Sequence, residues 1–425
     1  MLNKFFSEFV NRHVNKKLLN NFIALFTLQG LNYILPLITL PYLVRVLGVE
    51  NFGLINFIGA TIGYFTIFIG FGFSLSATRQ VAMSNKDIYK ISNVFSSVIV
   101  CQILLSLVSL IFLTLVIIIF EKFRDYWYVY FLFMSVPIAN IFFPVWFFQG
   151  MEKMKFITFL NTFSKLTFTV AIFIFIKNKN DFYLVPFFTF FGTFLASIVA
   201  LLIIFYKFKI RFYIPNKNSL IYQFNESKYI FLSTIMGSSY TISITFILGL
   251  LTNNTVVGYF SGADRIIKAL QGVFQPVITT LYPHISYLKT QDENQSILLL
   301  KKTIKIVLLV SFTISIIIFS FAEQIVDLIL GSEYSISVIS LKIMSIVPVF
   351  VAIGSVFAVL IMLSFGRSAE LSKIYIKTGI ISLIITPTLI YFFQGLGASV
   401  SVLLVELSAL SLMIVYLKKS DINII

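Results

Sequence analysis

The chain has 425 residues, of which 58% are hydrophobic and only 12% are charged, and its mean hydropathy is +0.96. Ordinary soluble proteins carry about 25% charged residues, so this composition excludes that class and indicates an integral membrane protein. The net charge of +15 would suggest nucleic-acid binding in a soluble protein. Here we expect no nucleic-acid partner, because the position of the cations relative to the membrane is the more informative property.

Twelve apolar segments follow one another along the chain, each close to the length of about 20 residues that a spanning helix needs. Barrel strands would alternate polar and apolar residues over about 10 positions, whereas stretches such as 96–120 are continuously apolar. The predicted fold is therefore an all-α integral membrane protein. The predicted segments are 18–43, 52–76, 91–119, 127–149, 156–176, 183–205, 229–251, 256–285, 304–322, 336–363, 372–393 and 396–417.

The connections between these segments leave little room for other chemistry. The longest of them, at about 207–228, is too short for an independent domain of 50 or more residues, so we expect no enzyme domain. Cys101 is the single cysteine, and His13 and His284 are the only histidines. Neither a metal site nor a disulfide framework is supported, and we expect no cofactor.

The cations are distributed unequally between the two faces of the predicted bundle. If alternate connections lie on alternate faces, 23 of the 32 Lys and Arg residues share the face with both termini, and five lie on the other face. Basic connections remain in the cytoplasm, so both termini are expected to be cytoplasmic. Four cations remain inside the segments, namely Lys165, Arg265, Lys268 and Lys342.

A short glycine-containing motif occurs once in each half of the chain. Gly53-Leu-Ile-Asn near the start of the second segment is matched by Gly258-Tyr-Phe-Ser in the eighth, 205 residues later. These features predict two pseudo-symmetric six-helix lobes, residues 1–206 and 229–425, joined by a basic cytoplasmic linker at 207–228. Because six is an even number, both lobes would run the same way through the membrane, which places a site between them near its midplane.

The eighth segment carries three charges, Asp264, Arg265 and Lys268, inside otherwise apolar sequence. Each ionised group in hydrocarbon costs roughly 2.5 to 17 kcal/mol, depending on the reference, so such residues usually mark a transport pathway. Spacings of three and four residues allow the three to share a helix face. The alternatives are a cation patch or charge relay, and an Asp264 to Lys268 salt bridge with Arg265 reaching the headgroups.

Further polar residues lie within other segments. Lys165 is nine residues into a 21-residue segment and must face a cavity or a partner, whereas Lys342 is close enough to an interface to reach it. Glu406 is central in the last segment, either as a coupling carboxyl or as a neutral, hydrogen-bonded one. In the first segment, Gln29 and Asn32 precede two prolines, which remove backbone donors and favour a bending polar wall or an ordinary kink.

Four stretches, at 29–57, 70–82, 146–158 and 257–286, resemble the Wzx-type polysaccharide flippases of the multidrug/oligosaccharidyl-lipid/polysaccharide exporter superfamily. The resemblance covers the whole chain. It implies two six-helix lobes in the bacterial inner membrane that move undecaprenyl-pyrophosphate-linked oligosaccharide, an O-antigen or capsule repeat unit, to the periplasmic leaflet. It also implies alternating access without ATP, coupled to a proton or sodium gradient. Polymerase and chain-length proteins of the same pathway are the expected protein partners.

Carried onto this chain, the resemblance assigns expected roles to the polar residues described above. A substrate-binding set would contact the pyrophosphate and the sugars, a gate would close the outer end of the first helix, and a carboxyl would couple a proton. The gate is Arg45, and Asp264 or Glu406 would couple the ion. The substrate-binding set comprises Arg265, Lys268, Lys165, Arg45, Gln29, Asn32 and Lys342.

Two other functions compete with this interpretation. A multidrug exporter of the same fold would present carboxylates in its cavity, but the intramembrane cations here outnumber the acids by four to two. A membrane O-antigen polymerase or glycosyltransferase would need an acidic constellation on a substantial periplasmic loop. Glu323, Asp327 and Glu333 form the only notable cluster on the short outer connections, and we interpret it as a solvated acidic loop.

Overall fold

The computed structural model describes residues 16–84 and 87–420, without the side chains of 16–34, 37, 236 and 239–241. Over these ranges the chain is helical, with no strand. The α-helices are α1 Lys16–Gly70, α2 Phe73–Met83, α3 Ile88–Ile119, α4 Glu121–Arg124, α5 Trp127–Ile141, α6 Val145–Gly150, α7 Met154–Phe175, α8 Leu184–Leu202, α9 Lys217–Leu251, α10 Asn254–Gln271, α11 Gln275–Gln291, α12 Glu293–Ser320, α13 Ala322–Ile329, α14 Ser337–Met344, α15 Val347–Ser355 and α16 Ser368–Lys419.

Short irregular helices join several of these elements. Short 3₁₀-helices cover Lys179–Tyr183, Gly272–Phe274 and Ser332–Tyr334. Wider π-helices extend α8 over Ile203–Lys207 and α15 over Val356–Leu363. Among the described residues, eight helices are long and apolar enough to cross a membrane. The all-α membrane fold predicted from the sequence is thereby confirmed.

The two longest helices are each interrupted by one residue with non-helical backbone. A straight helix of the 52 residues of α16 would be about 78 Å long, whereas the hydrocarbon core is about 30 Å thick. Gln394, with φ 48° and ψ −124°, interrupts α16 between the predicted eleventh and twelfth segments. A Cβ atom on Gly397 would overlap the Leu389 carbonyl oxygen, so the chain doubles back here. Gly48, with φ 72° and ψ 173°, interrupts α1 in the same way.

Contacts between turns define two sides of the bundle. We call the side of Lys16 and Lys419 the terminal side, and the side of Gly48 and Gln394 the opposite side. Turns of the opposite side contact one another: the Asn51 amide donates to the Lys179 carbonyl oxygen, and Val256 packs against Gly395. On the terminal side, Gly150 likewise packs against Val81. The chain therefore crosses the bundle repeatedly, as the apolar segments predict.

The predicted linker is only partly irregular. Residues 208–216 run along α3, where the Ser92 and Ser96 hydroxyls accept hydrogen bonds from the backbone N–H groups of Arg211 and Tyr213, at 3.1 and 2.9 Å. Helix α9 begins at Lys217, twelve residues before the predicted segment, because the Asn216 side chain caps it by accepting from the Ser219 N–H. The division of the chain into two lobes stays a prediction.

The buried apolar residues form two separate clusters. The larger cluster fills the first six predicted segments and continues into the opposite-side halves of the later ones, through residues such as Val257, Ile266 and Tyr334. The smaller cluster occupies the terminal-side half of the later segments, from Phe274 to Leu417. The core is thus continuous across the molecule on the opposite side and divided on the terminal side.

Candidate functional site

The charged residues of α10 are held in place by the way this helix begins. Asn253 caps it, its side-chain oxygen accepting from the Val256 N–H at 2.9 Å. One turn later, Gly258 lies against Val49 of α1, where a Cβ atom would overlap the Val49 carbonyl oxygen. Gly53 of α1 meets α10 reciprocally, since its Cβ would lie 2.6 Å from the Gly258 nitrogen. Small residues permit such close approach of membrane helices, and this crossing fixes the position of the charged turns beyond it.

Arg265 and Lys268 of α10 face different neighbours. The Arg265 guanidinium donates to the Asn56 side-chain oxygen at 2.8 Å and lies 5.1 Å from the centre of the Phe52 ring, so it contacts the α1 helix. The Lys268 ammonium lies 2.7 Å from an Asp264 carboxylate oxygen. The salt bridge considered from the sequence is therefore present, but Arg265 is directed to α1.

Asp264 and Lys268 line a small cavity together with Glu406 of α16. The cavity has a volume of about 80 Å³, and Thr245 and Gln271 also line it. The Asp264 side chain is 10% exposed and that of Lys268 is 52% exposed. The structure thus brings a cation and a carboxyl group of α10 together with the carboxyl group of Glu406, which lies 138 to 142 positions later in the sequence. We refer to Asp264, Lys268 and Glu406 as the charged cluster.

Polar side chains continue from the charged cluster toward the terminal side. Gln271, Gln275, Thr279 and Tyr282 follow Lys268 at spacings of three or four residues along α10 and α11, which places them near one helix face. Thr279 and Tyr282 are exposed and the two glutamines are half-buried. A polar strip therefore runs along α10 and α11 from the charged cluster toward the terminal side.

The other predicted cations lie away from this cluster. Lys165 is half-buried on α7 and forms no hydrogen bond or ion pair with any residue that the structure describes. Lys342 is paired with Glu323 at 3.1 Å on the opposite side. The side chains of Gln29 and Asn32 lie outside the described residues. The structure therefore does not gather the predicted substrate-binding residues at a single place.

Arg45, the predicted gate residue, lies on the opposite side of the bundle. Its guanidinium donates to the Leu328 carbonyl oxygen, 2.5 Å away, at the end of α13. The exposed carbonyls at a helix C-terminus carry partial negative charge and attract cations. Lys122 forms a similar link, donating to the carbonyl oxygens of Leu250 and Thr252 at 3.0 and 2.6 Å. Both links join the first six segments to the later ones on the opposite side.

Asn56 is the polar contact that the sequence did not single out. It follows the glycine of the repeated Gly53 motif by three residues, so a polar side chain on the face that crosses α10 was an available signal. Its direct contact with Arg265 became evident only from the packing of α1 on α10. The sequence also did not single out Gln271 and Thr245 as cavity residues, because isolated polar residues are common in predicted membrane segments.

Three comparisons with known proteins agree with this architecture. The family described as polysaccharide biosynthesis protein matches residues 18–289. A putative O-antigen transporter of Escherichia coli (strain K12) is 32% identical over 402 residues, covering 95% of this chain and 97% of that protein. These matches confirm the family resemblance drawn from the sequence.

Solved structures show the same fold at low sequence identity. An inward-facing multidrug resistance MATE family transporter of the MOP superfamily has a TM-score of 0.70 at 13% identity, covering 92% of this chain and 99% of its own. The lipid II flippase MurJ, in an inward closed conformation, has a TM-score of 0.71 at 14% identity, covering 94% of this chain and 87% of its own. At these identities the likeness concerns the fold.

Proposed function

The chain belongs to the polysaccharide biosynthesis protein family, and we propose that it is a flippase for a lipid-linked glycan. The proposed substrate is an undecaprenyl-pyrophosphate-linked oligosaccharide, an O-antigen or capsule repeat unit, that crosses to the periplasmic leaflet of a bacterial inner membrane. The name of the Escherichia coli relative, putative O-antigen transporter, supports transport rather than catalysis. The proposed orientation has both termini in the cytoplasm, which makes the terminal side cytoplasmic.

The observation that carries the proposal is the charged cluster inside the bundle. Pyrophosphate and sugar hydroxyls lose their water in hydrocarbon, and each unpaired polar group costs several kcal/mol there, so unaided flipping is negligible. Lys268 offers a half-exposed ammonium within the predicted eighth segment, next to a polar strip that leads to the terminal side. Fixed cations interact with pyrophosphate more strongly in such surroundings than in water, because less solvent screens them.

The distribution of contacts supports alternating access. The opposite side is closed by the Gly53 and Gly258 crossing and by the links of Arg45 and Lys122. The apolar core is divided on the terminal side. This arrangement suits a state that loads substrate from the cytoplasm, with Arg45 as part of the gate that opens in the next step.

The two carboxyl groups of the cluster provide a route to ion coupling. Binding of pyrophosphate to Lys268 would release its present partner, Asp264, and leave two uncompensated carboxylates, Asp264 and Glu406, in one small cavity. Buried charges of that kind are neutralised or paired. We therefore propose that a proton or a sodium ion enters this cavity during the cycle. Reversing an imposed proton gradient and a sodium gradient separately in liposomes distinguishes the two ions.

The test is reconstitution into liposomes with a fluorescent undecaprenyl-pyrophosphate oligosaccharide, in which flipping exposes the probe to a quencher. Lys268→Ala is expected to lower the flipping rate more than tenfold, because an interaction between charged groups is lost. Lys377→Ala, at a site outside the charged cluster, is the matched control and should retain the wild-type rate. Unchanged flipping by a folded Lys268→Ala variant would reduce the cluster to a structural salt bridge. Failure of the wild-type protein to flip a matched glycan would contradict the proposed function.

A further inference from the structure

A second and larger cavity lies on the terminal side, away from the charged cluster. Its volume is about 820 Å³, within the range of about 300 to 1,000 Å³ that is usual for small-molecule sites. The end of α2, the beginning of α3 and the first two turns of α9 form its walls. The lining includes Gln80, Asn93, Ser97, Asn218, Tyr222 and Gln223. We call it the terminal-side pocket.

Nine of the thirteen residues that line the pocket carry a neutral amide or hydroxyl group. Amides and hydroxyls come from all three helices, and an amide side chain presents donors and an acceptor together. Two cations also line the pocket, but each has a carboxylate partner: Arg79 is paired with Glu226 at 2.5 Å, and Lys90 lies 4.0 Å from Asp87. The pocket therefore favours a hydroxyl-rich neutral ligand over a polyanion.

Several of these groups are available to a ligand. Within the described part of the chain, the exposed side chains of Asn218 and Tyr222 form no hydrogen bond. Asn93 accepts only a long hydrogen bond, 3.5 Å, from Ser97 one turn away. The hydroxyls of a sugar donate and accept, and its apolar ring face packs on an aromatic ring such as that of Tyr222. The arrangement thus matches a carbohydrate.

The pocket also lies between the first predicted lobe and the predicted linker, whose second half forms the start of α9. Gln80 of α2 and Gln223 of α9 form two reciprocal amide hydrogen bonds, both 2.9 Å long, at its wall. A ligand in this pocket would contact α2, α3 and the start of α9, the helix that continues into the seventh segment. Its hydroxyls can compete for the same amide groups, which would link loading to relative movement of the two parts.

We propose that the terminal-side pocket binds the glycan of the lipid-linked substrate before translocation. This inference rests on the proposed function, since it assigns the sugar portion of that substrate a loading site distinct from the charged cluster. The pyrophosphate would then be engaged by Lys268 in a later step. The pocket residues would determine which glycans load, and the charged cluster would serve any of them.

The test uses the full chain in lipid nanodiscs and the repeat-unit glycan of the producing strain, released from its lipid and pyrophosphate. The pocket variant is Asn93→Ala/Asn218→Ala. The matched control is Asn225→Ala, an exposed asparagine on α9 that does not line the pocket. Calorimetry should show binding to wild type and control, weakened about tenfold in the pocket variant by the loss of two neutral hydrogen bonds. Lys268→Ala should bind the free glycan as wild type does.

Flipping kinetics separate this inference from the proposed function. The pocket variant should need about tenfold more lipid-linked glycan for half-maximal flipping, with a maximal rate within twofold of wild type. If the wild type flips the substrate and the pocket variant binds the glycan and flips the substrate equally well, the loading site is overturned but the proposed function stands. Binding of short-chain phosphatidylglycerol in place of the glycan would overturn it as well. If the wild type flips nothing, the proposed function fails, and the calorimetry alone decides whether the pocket recognises sugar.

Discussion

The helices of the bundle are joined by different kinds of contact on the opposite side and on the terminal side. On the opposite side, backbones approach at Gly53 and Gly258, and cationic side chains bind helix-end carbonyl oxygens. On the terminal side, the contacts between α2 and α9 include pairs of polar side chains, such as Gln80 with Gln223 and Ser76 with Ser227, beside the packed rings of Phe73 and Phe224. Backbone crossings tolerate almost no change in side-chain volume, whereas polar pairs exchange partners easily with water or ligand.

This difference indicates how a transport cycle would divide the work between the sides. The continuous apolar core and the glycine crossing stabilise closure on the opposite side. The divided core and the large polar pocket leave the terminal side accessible to a hydrophilic ligand. In the proposed cycle, opening the opposite side would require Arg45 and Lys122 to leave these carbonyl oxygens. An anionic substrate group moving from the charged cluster would offer them a new partner.

The largest effect is expected at the glycine crossing. Gly53→Ala places a methyl group on the Asn254 carbonyl oxygen, so α1 and α10 must separate. Overpacking of this kind typically costs about 1 to 3 kcal/mol, and more where backbone has to move. We expect a Tm several degrees lower and flipping reduced more than tenfold. Gly354→Ala is the matched control, since nothing lies within 4 Å of its added Cβ. Equal Tm values for the two variants would show that the crossing does not determine closure.

A smaller effect is expected from the amide pair on the terminal side. Gln223→Leu leaves the Gln80 amide without its partner, at a cost of about 1 to 2 kcal/mol. The double variant Gln80→Leu/Gln223→Leu should recover most of this stability, because replacing both partners with apolar groups is nearly neutral. Thermal unfolding of the four proteins gives the coupling energy as a double-mutant cycle. Additive losses would show that the pairing of the two amides does not hold α2 and α9 together.

The sequence was sufficient for the fold but not for these contacts. Segment length and hydropathy predicted the helices, and the predicted break between 393 and 396 coincides with the turn at Gln394. Charge within a span singled out Asp264, Lys268 and Glu406 separately. Their convergence depends on the packing of α16 on α10, which no local pattern encodes. The terminal-side pocket was missed because exposed Asn and Ser residues near a predicted linker are indistinguishable from ordinary solvated loop residues.

Neighbouring charges illustrate the same limit. Arg265 and Lys268 share a segment and a sign, so the sequence assigns them one role. In the structure, Arg265 contacts Asn56 of α1, whereas Lys268 lies beside Asp264 and Glu406. The direction of each side chain follows from the rotation of α10, which the Gly258 contact sets. A cation that joins two parts of a bundle can therefore be identified only after their crossing is known.

The smallest effect separates two cations of the opposite side. Arg45 joins the first helix to Leu328, whereas Lys342 and Glu323 lie on the same side of the predicted lobe boundary. Removing the exposed guanidinium in Arg45→Ala should destabilise the closed state relative to the open state by about 1 kcal/mol, which lowers the ratio of closed to open molecules about fivefold. Lys342→Ala removes an exposed ion pair and should cost less than about 0.5 kcal/mol. Modification of Val256→Cys in a Cys101→Ser background by an impermeant maleimide measures closure. Equal modification rates in the two variants would show that the contact of Arg45 with Leu328 does not stabilise the closed state.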